Sequence, residues 1–173
     1  MAVVIDATPA GPSANSYPTL AEADTYHEER LHTETWDGAD DATKNIALVM
    51  ATRLLDSMFV WAEWPTDEDQ ALQWPRQGVL AANQLENIGD YEIPIELKRA
   101  TAEYARQLID ADSTANSDIE ALGITSLSAG PVSLAFKATQ TVKVVPDAVG
   151  YLMPQWWFKI RSRKTGIREL LRA

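Results

Sequence analysis

Two histidines, His27 and His32, sit on one predicted helix and are the first residues whose types could do chemistry. A helical zinc pair needs imidazoles at i and i+4, so that both face one ion. Here the gap is five, which turns the rings roughly 140° apart at 3.6 residues per turn, so the pair reads as solvated or partly packed histidines. The chain has no cysteine, which excludes thiol catalysis, thiolate metal sites and disulfides. Lys164-Thr165-Gly166 matches one element of serine-based penicillin-recognising enzymes, but no Ser-x-x-Lys nucleophile accompanies it. Asp67 and Asp69 could be imagined as an acid–base pair. Catalytic carboxylates, however, need surroundings that push their pKa values apart, and three acids in a proline-containing loop read as solvated surface. There is no P-loop, no dinucleotide fingerprint and no nucleophile elbow. The expectation is a non-enzyme without metal or cofactor.

The residues favour binding instead. Beyond Pro154, Trp156-Trp157-Phe158 leads into a basic terminus. Residues 159–173 hold six bases (Lys159, Arg161, Arg163, Lys164, Arg168, Arg172) and one acid, Glu169, a net of +5. Residues 1–158 hold nine bases and 24 acids, a net of −15. The acidic part repels nucleic acid and soluble anions, while the basic end seeks an acidic partner. If the terminus is helical, Trp156, Ile160, Ile167 and Leu171 share one face. Gly166 costs such a helix about 1 kcal/mol, so it would form against a partner. A nucleic acid would use stacking and phosphate pairing. A membrane would use the aromatics and flanking bases, though one short segment anchors weakly. A protein would take the tryptophans as buried anchors. Three consecutive large aromatics argue against a disordered solvated tail, since such tails are poor in them. Trp36, Trp61 and Trp74 read as core.

These segments need a scaffold. At 173 residues the chain suits one domain and can bury roughly 70% of its unfolded surface. No stretch approaches 18 apolar residues, so no membrane span is expected. Met1–Pro12 lacks the basic and apolar regions of a signal peptide, so cytosolic synthesis is the default. Met1–Asn15 reads as an extended arm. Thr19-Leu20-Ala21-Glu22 is a capping box and predicts a helix over about 20–31. Trp36-Asp37-Gly38 predicts a turn, and Asp40 or Asp41 opens a second helix ending near Asp56. Its centre, 46–51, is apolar all round, which places it centrally or against another subunit. The helical period vanishes from Phe59 to Ile93, a stretch too long for an ordinary loop; a short helical turn is expected around Asp67–Leu72. Pro94 opens a third helix to about Ala111, with Leu97, Thr101, Tyr104 and Leu108 as its inward stripe. Alternation around Ala129-Gly130-Pro131 predicts a β-hairpin, joined by a third strand at 142–145. A short helix, Asp147–Met153, follows. The fold class is mainly α: a small helical bundle with an inserted antiparallel β-hairpin and extended N- and C-terminal arms.

Several of these segments resemble a known family. Ala14-Asn15-Ser16-Tyr17, Thr19–Tyr26, Ala51–Asp56, Gln70–Arg76, Ile93-Pro94, Gly130-Pro131-Val132 and Val145–Val149 occur in the order found in head–tail connector proteins of tailed bacteriophages. These are also called adaptor or head-completion proteins, and some members are labelled DnaT-like. The resemblance spans about Ala14 to Pro154.

It implies a structural adaptor made in the host cytoplasm and located in the virion neck. Copies, typically twelve, would form a ring that docks on the portal protein and meets a downstream neck, stopper or tail-completion protein. DNA would pass through the lumen without specific binding. On this reading residues 1–13 are an arm and 14–154 the body with its hairpin near 122–145; 155–173 match no motif of the family, and their role as a portal-gripping tail is inferred from their composition and position. The portal-binding candidates are Trp156, Trp157, Phe158, Lys159, Ile160 and Arg161, continuing through Arg163, Lys164, Ile167, Arg168 and Leu171. Subunit-interface candidates are Trp61, Trp64, Ile46 and Met50. The alternative is a single-stranded nucleic-acid-binding accessory protein that uses the same basic aromatic tail.

Overall fold

A computed structural model describes residues 3–111, 126–129, 132–135 and 145–161, the hairpin residues by their backbone only. The element order is α1 (Leu20–Glu28), α2 (Glu34–Asp37), α3 (Asp41–Met58), β1 (Phe59–Trp61), β2 (Trp64–Pro65), β3 (Arg76–Gln77), α4 (Ile95–Asp110), β4 (Ser126–Ala129), β5 (Val132–Ala135) and α5 (Asp147–Tyr151). A 3-10 turn (Gln155–Trp157) and β6 (Phe158–Ile160) complete it. The chain is mainly α with small antiparallel β pairs.

The centre is the packing of α3 on α4. Leu48, Ala51, Thr52 and Leu55 of α3 are buried, as are Leu97, Ala100, Thr101, Tyr104 and Ala105 of α4. The alanines let the helices approach closely, and full burial of each leucine contributes about 1.5–3 kcal/mol. Thr52 and Thr101 direct their hydroxyls to the Leu48 and Leu97 carbonyls, at 2.9 and 2.8 Å, so neither buried hydroxyl goes unpaired. Asp40 caps α3 through the Thr43 amide at 2.8 Å. Of the apolar run at 46–51, Ala47, Leu48, Val49 and Ala51 are buried, whereas Ile46 is exposed.

The capping box at the start of α1 forms as expected. Thr19 Oγ1 accepts from the Glu22 amide at 3.2 Å, and Glu22 Oε2 accepts from the Thr19 amide at 2.8 Å. The helix ends at Glu28 rather than Leu31. Leu31 is 80% exposed, and the Arg30 guanidinium donates to the Leu31 carbonyl at 2.6 Å, so nothing apolar holds a last helical turn. Arg30 also binds Glu103 of α4 at 2.7 Å. A second clasp joins the first three helices: Asp24 accepts from Trp36 Nε1 at 2.9 Å and from Lys44 Nζ at 3.0 Å.

Residues 3–15 are not an extended arm. The Asn15 amide donates to the Asp6 carbonyl at 2.8 Å, and Asn15 Nδ2 donates to the Val4 carbonyl at 2.9 Å. Asn45 of α3 donates to the Val3 carbonyl at 3.2 Å. Ile5 packs against the core. The Asn15 side chain closes this segment on itself, a pairing that local composition does not reveal.

The stretch 59–93 contains no helical turn at 67–72. It supplies strands to two small β pairs instead. β2 pairs with β3, Trp64 opposite Gln77 and Pro65 opposite Arg76. β1 pairs antiparallel with β6, Phe59 opposite Ile160 and Trp61 opposite Phe158. Arg76 is buried and organises this region: it donates to the Ala62 carbonyl at 2.6 Å, to the Gln73 carbonyl at 2.9 Å, and to the Glu63 carbonyl. Asp67, Glu68 and Asp69 lie exposed.

β4 and β5 form the hairpin in the register Ala129 opposite Val132, joined across residues 130–131. Residues 142–144 of the expected third strand lie outside the described residues, and Val145 is a bend. α5 stops at Tyr151.

Candidate nucleic-acid interface

The basic aromatic segment begins inside the core. Trp157 is fully buried and Phe158 is 6% exposed. Phe158 stacks on Phe59 at 4.2 Å between centroids, and Trp157 packs on Trp74 at 5.5 Å. Trp61 meets Trp74 edge-on at 5.9 Å. Such aromatic pairs contribute about 0.5–1.5 kcal/mol each beyond their burial. Trp157 and Phe158 are therefore body residues, not a free docking arm, and the body runs at least to Arg161. The physical reason is the partner surface. Phe59, Trp61 and Trp74 offer a large apolar pocket, and an extended strand can pair with β1 while filling it. For the same reason the helical face expected to start at Trp156 and Ile160 is absent: these residues lie in a 3-10 turn and a strand.

What remains exposed is narrower and more informative. Opposite residues of an antiparallel pair share a face. On the outer face of the β1–β6 ribbon Val60 lies opposite Lys159, and both are exposed. Exposed Arg161 extends the ribbon, its amide donating to the Met58 carbonyl at 2.7 Å. Ile160 is 68% exposed. Trp156, three residues before Lys159, is 44% exposed. Its Nε1 donates to the Leu80 carbonyl at 3.4 Å, the same oxygen that takes the Trp157 Nε1–H at 2.7 Å. One carbonyl thus positions both indoles. Arg163, Lys164, Ile167, Arg168 and Leu171 lie outside the described residues.

A groove of about 380 Å³ opens beside Trp156. Ala62, Glu63, Gly78, Val79, Leu80 and Gln84 line it together with Trp156. The loop carrying Leu80 and Gln84 is closed by main-chain bonds: the Ile88 amide donates to the Val79 carbonyl and the Ala81 amide to the Glu86 carbonyl, both at 2.8 Å. The groove is built from four separate segments, so its residues were not legible from spacing. The glycine after Trp74-Pro75-Arg76-Gln77 was the one local signal.

The other candidates fall in different places. Trp61 is buried in the chain's own core. Trp64 is 77% exposed on β2, Ile46 is 53% exposed on α3, and Met50, one turn from Ile46, is half-buried. His27 is buried, donating from Nε2 to the Ala102 carbonyl at 3.2 Å. His32 is exposed, and among the described residues no cluster of His, Asp or Glu could hold a metal. No helix there is long and apolar enough to cross a membrane.

Two buried charge clusters lie outside the groove's lining. Glu103 of α4 binds Arg30, Arg106 at 3.0 Å and Gln107 at 2.8 Å. Burial pushes its carboxyl up, but these hydrogen bonds and the two guanidinium charges outweigh it and hold it below the usual glutamate range. Asp56 of α3 accepts from the Tyr17 hydroxyl and from the Gln73 amide at 3.2 Å. Burial dominates there and raises its carboxyl above the ordinary value.

A family model described as "Putative DnaT-like ssDNA binding protein" matches residues 1–170. The chain belongs to this family. Membership takes in the helical body, the β1–β6 ribbon and nearly all of the basic terminus. No curated protein and no solved structure matches the chain.

Proposed function

We propose that this protein binds single-stranded nucleic acid at the β1–β6 end of its body and acts by binding, without catalysis. One observation carries the reading: a half-exposed indole, Trp156, comes three and five residues before the exposed cations Lys159 and Arg161, at the point where the chain enters its basic terminus. Stacking on an aromatic face plus phosphate pairing is the general chemistry of single-strand binding. The family's description supports it. The reading differs from the expectation in its residues, because Trp157 and Phe158 are occupied in the core and leave Trp156 as the segment's stacking surface.

The test is fluorescence anisotropy with a labelled single-stranded oligonucleotide across a salt series. Each lost phosphate contact should reduce the slope of log K against log salt by about 0.7. Lys159→Ala plus Arg161→Ala should therefore flatten the slope by roughly 1.4. Absence of binding by the native chain at low salt would refute the reading.

A second reading is the structural adaptor of a phage head–tail connector. It is favoured by the charge excess, nine bases against 24 acids in residues 1–158, which suits a channel wall that DNA slides past. Exposed Trp64 and Ile46 would then serve contacts between copies in a ring, typically of twelve. The basic terminus would grip the portal, and another face would meet the downstream neck protein in the virion. Light scattering of the protein mixed with portal separates the readings. A large complex with portal and no salt-sensitive oligonucleotide binding would favour the adaptor.

A further inference from the structure

We propose that the groove beside Trp156 takes a single nucleobase, and that it favours bases carrying an exocyclic amino group. The inference rests on the single-strand reading and names the ligand of that same site. Three observations bear on it. The apolar side chains that line it include Val79, which is buried, Leu80, which is 45% exposed, and the Trp156 indole. Gly78 has φ +73°, and no heavy atom lies within 4 Å of where its Cβ would stand, so the backbone opens onto free space. The polar side chains that line the groove are Glu63 and Gln84.

Charge then decides which part of a nucleotide enters. A carboxylate in the groove repels phosphate, so the sugar–phosphate chain stays outside, where Lys159 and Arg161 are exposed. The base is the uncharged part with two π-faces, which suit an indole and apolar lining side chains. A carboxylate offers only acceptors and therefore selects N–H donors, such as the N4 amino group of cytosine. Thymine has an N3–H as well, but it lies between O2 and O4, whose negative partial charges oppose a nearby carboxylate, so the exocyclic amino group is the better partner for Glu63. Gln84 can serve either base and so does not oppose the preference.

The experiment compares short oligo(dC) and oligo(dT) by fluorescence anisotropy at low salt, with the 173-residue chain and four variants. The native chain should bind oligo(dC) about fivefold more tightly. Trp156→Ala should weaken both by roughly 5- to 150-fold, the range of one lost base stack, and Trp156→Phe should restore much of the loss. Glu63→Ala should remove the preference and leave oligo(dT) binding equal or tighter. Thermal unfolding of each variant checks that it is folded. If Trp156→Ala and Trp156→Phe both bind like the native chain while Lys159→Ala plus Arg161→Ala binds weakly, the single-strand reading stands and the base groove falls. Equal affinity for the two oligonucleotides in the native chain overturns the amino-group preference. No binding to either overturns the underlying reading as well.

Discussion

Glu103 shows what one residue does for this fold. It is 2% exposed and draws Arg30 from beyond α1 and Arg106 from its own helix. Removing one partner of a buried ionic cluster leaves the other charges uncompensated, at about 3–5 kcal/mol. Glu103→Ala should therefore lose about 3 kcal/mol in urea unfolding, well beyond Arg30→Ala, whose side chain is 30% exposed. His27, beside it, has the opposite problem. Burial holds its imidazole below the ordinary 6.5, and Nδ1 has no partner among the described residues. The unfolded chain then binds the proton more readily, so stability present above that value is lost as pH falls below it. Glu103, lowered from 4.5, adds a second loss at more acid pH, and Asp56, raised from 3.8, works against that second loss. Urea midpoints should thus decline from about pH 7 to pH 5, and His27→Gln should flatten that interval. An equal decline in the variant would assign it elsewhere.

At the scale of elements, β6 decides where the body ends. Trp157 and Phe158 fill the space between Phe59, Trp61 and Trp74, and the Trp157 carbonyl accepts from the Ala62 amide at 2.8 Å. A chain ending at Arg161 should keep the native melting temperature to within a few degrees. A chain ending at Pro154 loses both aromatics, and truncating even one such side chain in a core costs about 3–5 kcal/mol. Circular dichroism melting of the two truncations checks this, and equal stability would contradict the described packing. The N-terminus of α1 is a milder case. Thr19→Ala removes the capping box and should cost about 1 kcal/mol by the same measurement.

For the whole molecule, charge distribution governs behaviour. A net of −10 opposes nucleic acid overall, so any binding must come from the basic end and must be salt-sensitive. Oligonucleotide affinity should fall at least tenfold between about 50 and 200 mM salt, whereas a complex held by apolar surfaces such as Trp64 would change little. Sedimentation with portal, and anisotropy with oligonucleotide, run over the same salt series, would show which contact this end of the molecule makes.

Local pattern alone determined where the three longer helices start. Thr19 and Glu22, Asp40, Pro94 and the Leu97–Tyr104 stripe act within a turn or two, so their geometry follows from 3.6 residues per turn. The hairpin at 126–135 was legible for the same reason, through its period of two. Tertiary structure decided what lies far apart in sequence: the pairing of β1 with β6 across about 100 residues, the closure of 3–15 by Asn15, and Arg76 on its three carbonyls. It also divided three adjacent aromatics into one exposed and two buried. Composition marks Trp156, Trp157 and Phe158 alike; only the cavity left by Phe59, Trp61 and Trp74 separates them, because burial depends on the space other segments leave.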